Sequence, residues 1–236
     1  MSELERRLEA VGRRWRLRPD ALERIRRLLE VLAADPSAPT SVADPLRSID
    51  VHVADSLSGL TVARLCELRR IADVGSGAGF PGLVLATAMP SARFDLIEAS
   101  GRKCTFLERV AGELALQNVS IVCARAEDWA GGEGAERYDG VVVRAVGLLA
   151  TLVEYAAPLL EAGGLLVAWK GRRDPGEEAQ GEAAARMLGM EPRGVEWVGP
   201  FAGSRHRHIH VYEKVAPTPP GYPRRAGMAK KRPLGR

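Results

Sequence analysis

The chain has few of the residues that build metal centres, disulfide frameworks or membrane spans. Its three cysteines, Cys66, Cys104 and Cys123, are odd in number and lack Cys-x-x-Cys spacing, which argues against a zinc site and a disulfide-rich fold. No run approaches the ~18 consecutive apolar residues of a membrane-spanning helix, and the amino terminus lacks the apolar region of a signal peptide. We therefore expect a soluble cytoplasmic protein with reduced thiols, no metal and no membrane partner.

The chain also lacks a large excess of either positive or negative charge. Lys and Arg total 34 against 30 Asp and Glu, so the net charge of +4 permits a polyanionic partner without requiring one. A chain of 236 residues can bury one full α/β core. We expect an N-terminal helical extension (1–48), a ligand-binding α/β domain (49–214) and a basic Pro-rich tail (215–236).

Residues 3 to 34 place apolar side chains at helical spacing and are interrupted near Pro19, which predicts two amphipathic helices. Their many arginines allow two interpretations. They can face a phosphate backbone, or they can lie on a solvated face paired with the glutamates between them. The interleaved acids favour the second interpretation.

Short apolar runs alternate with helical stretches in the rest of the chain, as in an open α/β sheet. Seven runs predict seven strands, of which the first five are parallel and the last two form an antiparallel pair. The predicted fold class is therefore α/β, with a mostly parallel sheet and an antiparallel edge strand. The seven runs end near residues 74, 98, 123, 144, 170, 198 and 212.

The first strand leads into the stretch 73–82, Asp-Val-Gly-Ser-Gly-Ala-Gly-Phe-Pro-Gly. The alternate glycines Gly75, Gly77 and Gly79 reach backbone angles that a Cβ forbids and let a ligand approach closely. Phe80 stands where the dinucleotide fingerprint has its third glycine, and the acid that opens the stretch would repel a pyrophosphate. The turn therefore favours S-adenosylmethionine over NAD.

Two further acids suit the same ligand. Glu98 ends the second strand, where an open α/β sheet places an acid on a ribose diol. Glu127 follows the third strand, within reach of an adenine. S-adenosylmethionine carries an ammonium, a sulfonium and a ribose diol but no phosphate, so acids at successive strand ends are compatible with it.

Two cations flank the same edge of the predicted sheet. Arg144 ends the fourth strand and Lys170 the fifth, where open α/β sheets bind ligands. The arginine is hard to explain as structure alone, whereas Lys170 can either contact a phosphate or a base or simply be a solvated strand end. His52 and Asp55, three residues apart on a predicted helix, are expected to make a local contact.

The tail has no acid after Glu213 and carries six basic residues, Arg224 and Arg225 among them. Such a segment suits a phosphate backbone. The alternative interpretation is a disordered, solubilising tail.

Together these stretches resemble the RsmG (GidB) family of ribosomal RNA methyltransferases. The glycine stretch with its Phe-Pro-Gly ending is the specific match. The resemblance runs from about residue 50 to the end, but the family's Trp-Asn and Asn-Leu-Thr stretch is not recognisable before it. The other matches are Val53-Ala54-Asp55-Ser56-Leu57, Arg125-Ala126-Glu127-Asp128, Val143-Arg144-Ala145, Lys170-Gly171 and the tail from Tyr222 to Leu234.

The resemblance implies a Rossmann-like class I methyltransferase that uses S-adenosylmethionine to methylate N7 of one guanine, at position 527 in the 530 loop of bacterial 16S rRNA. Its partner would be 16S rRNA or the small ribosomal subunit. Gly75 and Phe80 would line the methionine and sulfonium side of the pocket, Ala126 and Glu127 would hold the adenine, and Arg144 would close the site beside the incoming base.

These observations and the resemblance together give two sets of candidate residues. The candidate cofactor-binding residues are Gly75, Gly77, Gly79, Phe80, Glu98, Ala126, Glu127 and Arg144. The candidate substrate-binding residues are Arg144, Lys170, Arg224 and Arg225.

No side chain is assigned as a proton acceptor, because guanine N7 has a free lone pair and loses no proton when it is methylated. We expect the protein to be a monomer. Two other functions fit the residues. A methyltransferase for another substrate would not need the basic tail, and a non-enzymatic nucleotide-binding regulator would bind a ligand without transferring a methyl group.

Overall fold

The computed structural model describes residues 1–235 and contains one seven-stranded sheet. Its strands are β1 (Arg70–Val74), β2 (Arg93–Glu98), β3 (Val119–Cys123), β4 (Tyr138–Arg144), β5 (Leu160–Lys170), β6 (Met190–Trp197) and β7 (His208–Lys214). The strand order is β3-β2-β1-β4-β5-β7-β6. The first five strands are parallel, and β7 pairs antiparallel with both neighbours. The predicted sheet is confirmed, except that the reversed strand lies next to the edge, with β6 outside it.

Helices cover both faces of the sheet. They are α1 (Glu3–Trp15), α2 (Pro19–Ala34), α3 (Pro45–Ser48), α4 (Asp55–Leu57), α5 (Gly82–Ala88), α6 (Gly101–Glu113), α7 (Ala126–Ala130), α8 (Leu149–Ala156), α9 (Pro175–Met187) and α10 (Met228–Lys231). A π-helical turn, Ile49–Ala54, joins α3 to α4 without a break. No helix within residues 1–235 is both long and apolar enough to cross a membrane.

Local chemistry fixes several helix starts. Helix α1 begins with a capping box, in which the Ser2 hydroxyl accepts from the Glu5 amide and the Glu5 carboxylate accepts from the Ser2 amide. Helices α2 and α9 begin with Pro19 and Pro175, whose missing N–H groups would have had no intrahelical partner. The two predicted N-terminal helices are thus confirmed.

Side chains of every strand except β6 are divided between two apolar clusters, one on each face of the sheet. On β1, Ile71 points into the cluster that contains the N-terminal helices, and Ala72 into the cluster that contains α8 and α9. Leu29 and Leu32 of α2 are fully buried against the first face. The N-terminal helices therefore share a core with the sheet.

Strand β5 runs from Leu160 through the pair Gly163 and Gly164 to Lys170. The pairing with β4 shifts between Tyr138, opposite Leu160, and the next paired residue of β4, so a bulge absorbs the glycines. Gly163 takes a φ of +80°, which a residue with a Cβ rarely adopts.

The expectation of reduced thiols is wrong for two of the three cysteines. Cys104 and Cys123 form a disulfide, with their Cα atoms 5.8 Å apart, and Cys66 is exposed. The physical reason is strand pairing. Glu98 on β2 lies opposite Cys123 on β3, and α6, which carries Cys104, starts just after β2.

Candidate active site

The glycine turn after β1 is held by backbone contacts. The Gly75 amide donates to the Ile97 carbonyl at 2.8 Å, and Gly75 has a φ of +74°. Gly79 has a φ of +93°, and a Cβ there would lie 2.2 Å from Leu83 Cδ1, so glycine lets the turn pack closely on α5. The turn thus presents bare backbone at the carboxyl end of β1.

Asp73 lies beneath this turn rather than in contact with a cavity. It is 1% exposed, and its Oδ2 accepts from the Gly82 amide at 2.9 Å. Burial raises the pKa of Asp73 to about 7. The charge argument against a pyrophosphate therefore depends on Glu98 and Glu127, and Asp73 instead supports the start of α5.

A cavity of about 250 Å³ opens beside the turn; we call it the glycine-turn cavity. The Glu98 carboxylate lies in its wall and is 7% exposed. It accepts from the Gly77 amide at 3.1 Å and from the Ser100 amide at 2.9 Å, so its orientation is fixed while lone pairs remain for a diol. The cavity is lined by Gly75, Glu98, Ala126, Glu127, Tyr155 and Lys230, among others.

The far end of the glycine-turn cavity contains Glu127 and Tyr155. Glu127 Oε1 accepts from the amide of Gly227, in the C-terminal segment, at 2.7 Å. Burial and the nearby Glu127 charge raise the pKa of Tyr155 to about 12, so its hydroxyl keeps its proton. This end of the cavity therefore offers a hydrogen-bond acceptor, the Glu127 carboxylate, and a donor, the Tyr155 hydroxyl. Recognition of a purine edge requires both kinds of group.

A second cavity, of about 490 Å³, adjoins the first; we call it the arginine cavity. Ala145, immediately after β4, lines both cavities. The arginine cavity is lined by His52, Asp55, Arg144, Trp169, Lys170 and Arg207, among others.

Arg144 and Asp55 form a buried ion pair in the arginine cavity. Arg144 Nη1 lies 2.9 Å from Asp55 Oδ2, and the two side chains are 13% and 4% exposed. Burial lowers the pKa of Arg144, and the Asp55 charge opposes that shift. Nη1 also donates to the Val51 carbonyl at 3.3 Å, so the guanidinium is held in one place.

His52 stacks on Phe80, with ring centroids 4.4 Å apart and planes 10° from parallel. The Arg144 guanidinium lies 5.4 Å from the centroid of the same ring. Burial and the Arg144 charge lower the pKa of His52 to about 4, so the imidazole is neutral at pH 7. The expected contact between His52 and Asp55 is not made as a hydrogen bond. His52 stacks on Phe80, whereas Asp55 pairs with Arg144.

Two more cations border the arginine cavity. Lys170 Nζ donates to the Gly147 carbonyl at 3.0 Å and pairs with Glu177 at 2.5 Å. Arg207 Nε lies 3.3 Å from Asp55 Oδ1 without hydrogen-bond geometry, and Arg207 is 38% exposed. The cavity is therefore cationic at its mouth and has one buried carboxylate oxygen without a hydrogen-bond partner.

The structure brings together some of the predicted site residues and separates others. Gly75, Glu98, Ala126 and Glu127 line the glycine-turn cavity, while Arg144 and Lys170 line the arginine cavity. Four predicted cofactor residues lie outside the first cavity. Arg144 lines the second cavity, Gly77 orients Glu98, Gly79 packs on α5, and Phe80 lies against Arg144 and His52. Arg224 is paired with Glu154, and Arg225 is exposed.

Sequence reasoning missed Arg207, Lys230 and the partnership of Asp55 with Arg144. The predicted antiparallel pair was a usable signal for Arg207, because Lys170 on β5 lies opposite His208 and so brings the preceding residue to the cavity. Nothing local marked Lys230. Within residues 1–235, no three His, Cys, Asp or Glu side chains converge as metal ligands do.

Comparisons with known proteins agree with this geometry. A family model described as rRNA small subunit methyltransferase G matches residues 29–209. A protein of Desulfitobacterium hafniense named ribosomal RNA small subunit methyltransferase G is 40% identical over 196 residues, which cover 83% of this chain and 81% of that protein. The protein of the same name from Rubrobacter xylanophilus is 44% identical over 188 residues, covering 78% and 72%.

Solved structures show the same fold at low identity. The 1,6-didemethyltoxoflavin-N1-methyltransferase of Burkholderia thailandensis, solved with S-adenosylhomocysteine, has a TM-score of 0.54 at 15% identity and covers 81% of this chain and 90% of its own. A Thermotoga maritima S-adenosylmethionine-dependent O-methyltransferase has a TM-score of 0.54 at 16% identity, covering 77% and 73%. These likenesses establish the Rossmann-like class I methyltransferase fold.

Proposed function

The chain belongs to the rRNA small subunit methyltransferase G family and is a methyltransferase, and from that premise we propose its reaction. It transfers the methyl group of S-adenosylmethionine to N7 of a guanine of 16S rRNA, at position 527 in the 530 loop. The observation that carries the proposal is the adjacency of the two cavities. They meet at Ala145, at the carboxyl end of β4, where open α/β sheets bind ligands.

The residues of the glycine-turn cavity fit S-adenosylmethionine. Glu98 is fixed by two amides and retains acceptor capacity for a ribose diol, and the bare backbone at Gly75 permits close approach. When bound, the cofactor supplies an electrophilic methyl carbon on a sulfonium.

The arginine cavity fits a guanine base. Asp55 Oδ1 has no hydrogen-bond partner and lies 3.3 Å from Arg207 Nε. When Arg207 moves toward the target strand, this oxygen can accept from the N1–H of guanine, whereas the same position of adenine is itself an acceptor. Arg207 and Lys170 offer donors for O6 and for the phosphates of the target strand. We propose that a guanine held in this way has its opposite edge, which carries N7, toward Ala145 and the first cavity.

The reaction needs alignment rather than proton removal. The N7 lone pair forms a bond to the methyl carbon while the carbon–sulfur bond breaks and its electrons remain on sulfur, so no proton is transferred. Alignment of reacting groups can lower a barrier by up to ~7–11 kcal/mol in the ideal limit. His52 is neutral at pH 7, but it is stacked on Phe80 and its Nε2 faces Thr40, so it has no role as a base.

We also propose that the protein acts as a monomer in the cytoplasm, on 16S rRNA or the small ribosomal subunit.

The test is methyl transfer from radiolabelled S-adenosylmethionine to small subunits and to free 16S rRNA that lack the modification. The label should appear at one guanine N7, mapped by N7-specific strand cleavage, and Arg144→Lys should reduce transfer because lysine cannot hold both Asp55 and the Val51 carbonyl. Label in another molecule would support a different substrate. Cofactor binding without transfer to any substrate would support a regulator.

A further inference from the structure

The C-terminal segment packs along α8; we call residues 217–235 the strap. Its main anchor is Arg224, whose Nε donates to Glu154 Oε1 at 2.6 Å while Nη2 donates to the second oxygen. Glu154 is 2% exposed. A two-point guanidinium–carboxylate contact at a buried acid fixes both position and direction. Arg224 therefore has its charge balanced within the protein.

A second set of contacts places the strap at the rim of the glycine-turn cavity. The Gly227 amide donates to Glu127 Oε1 at 2.7 Å, and the Thr151 hydroxyl donates to the Ala229 carbonyl at 3.1 Å. Ala229 is 1% exposed. The next residue, Lys230, lines the cavity together with Glu127.

We propose that the strap is a wall of the cofactor site and that Lys230 is a cofactor-binding residue at the adenine end. This inference rests on the proposed function, which puts the adenine beside Ala126 and Glu127. An ammonium group is a pure donor, and the ring nitrogens N1, N3 and N7 of adenine are acceptors. Glu127 keeps lone pairs for the adenine amino group after it has accepted from Gly227.

The strap therefore contributes to cofactor affinity directly, without any contact with RNA. Because Glu127 contacts the strap and also faces the cofactor, ordering of the strap and cofactor binding are thermodynamically linked. Any affinity that the ordered strap adds must appear as an equal stabilisation of the strap by the bound ligand.

The first experiment measures that stabilisation by amide hydrogen exchange on the full chain with saturating S-adenosylhomocysteine, 5′-methylthioadenosine or methionine. We expect exchange in the strap to slow with the first two compounds, which carry adenosine, and not with methionine. Helix α1, on a distant part of the fold, is the internal control. Unchanged exchange in the strap with a saturating adenosine compound would overturn the proposal.

The second experiment compares neighbouring residues. Lys230→Ala should weaken S-adenosylhomocysteine binding about tenfold, the order expected for a hydrogen bond to a charged group, whereas Lys231→Ala should leave it unchanged. Arg224→Lys, which keeps the charge but loses the two-point contact, should weaken binding more than Arg225→Lys. Circular dichroism and thermal unfolding establish that each variant is folded. Equal affinities for the Lys230→Ala and Lys231→Ala variants would overturn the role of Lys230.

These results separate the strap from the proposed function. If wild-type protein binds no S-adenosylhomocysteine, the proposed cofactor fails and the strap proposal fails with it. If the ligand binds and strap exchange and the Lys230→Ala affinity do not change, the strap proposal fails alone.

Discussion

Asp55→Ala tests the centre of the arginine cavity. Asp55 is 2% exposed and accepts from Arg144 at 2.9 Å, with Arg207 3.3 Å from its other oxygen. Removal of the carboxylate leaves a guanidinium that is 13% exposed without its counter-charge. Burial already lowers the pKa of Arg144, which shows that the site disfavours an unpaired cation.

The expected cost follows from burial. Breaking a buried ion pair by removing one partner costs about 3–5 kcal/mol. For a chain of this size each kcal/mol lowers Tm by roughly 2–4 °C, so the variant should melt roughly 6–20 °C below wild type. The control is Asp50→Ala, in the preceding helical turn, whose partner Arg7 has a side chain that is 36% exposed. That surface pair should contribute only about 0–1 kcal/mol.

The assay is calorimetry of the two single variants, Asp55→Ala and Arg144→Ala, and of the double variant. The double variant should lose much less stability than the sum of the single losses, because it leaves no buried charge unpaired. It should still be inactive, since Arg144 is absent. If Asp55→Ala melts within the range of Asp50→Ala, or if the single losses are additive, the reasoning about a buried, coupled pair is refuted.

Three other outcomes are expected. Glu98→Gln should weaken S-adenosylhomocysteine binding about tenfold by calorimetric titration, since an amide accepts more weakly from a diol, and equal binding would contradict the ribose assignment. The saturated methyl-transfer rate should change less than about twofold between pH 6 and 9, because no base is needed and the pKa of His52 is about 4; a tenfold rise per pH unit would show a base. Because burial raises the pKa of Asp73 from 3.8 to about 7, the folded state binds the proton more tightly and stability falls as pH rises through that window. In urea unfolding, the free energy of unfolding of Asp73→Asn should therefore rise relative to that of wild type from pH 5 to pH 8. A difference between the two proteins that does not depend on pH would contradict the raised pKa of Asp73.

The strands and the glycine turn were predictable because their signals are local. An apolar run, an acid and alternate glycines occupy a dozen consecutive residues, and the pattern already requires a strand, a turn and a helix start. The same reasoning places Glu98 and Arg144, since the carboxyl ends of parallel strands meet at one edge. The same reasoning places Lys170, at the end of β5, at this edge of the sheet.

Contacts between distant segments were not predictable. Asp55 and Arg144 are 89 residues apart, and Glu127 and Gly227 are 100 residues apart. The tail showed only an excess of positive charge, which by itself favours a disordered or nucleic-acid-binding segment. The acid that balances Arg224 lies on α8, and only tertiary structure brings the two together.

The two cavities depend on one change of backbone direction. Ala145 has a φ of +60°, a conformation that costs a residue with a Cβ of order 1–3 kcal/mol. The residue before Ala145, Arg144, lines the arginine cavity, and the residue after it, Val146, lines the glycine-turn cavity. Val146 also packs against the turn, since a Cβ on Gly75 would lie 2.7 Å from its side chain. In an extended strand, residues two positions apart lie on the same face of the sheet, so both side chains would otherwise point in the same direction. The positive φ therefore lets one strand end line both cavities, and in the proposed reaction it keeps the methyl donor and the base apart but within reach of each other.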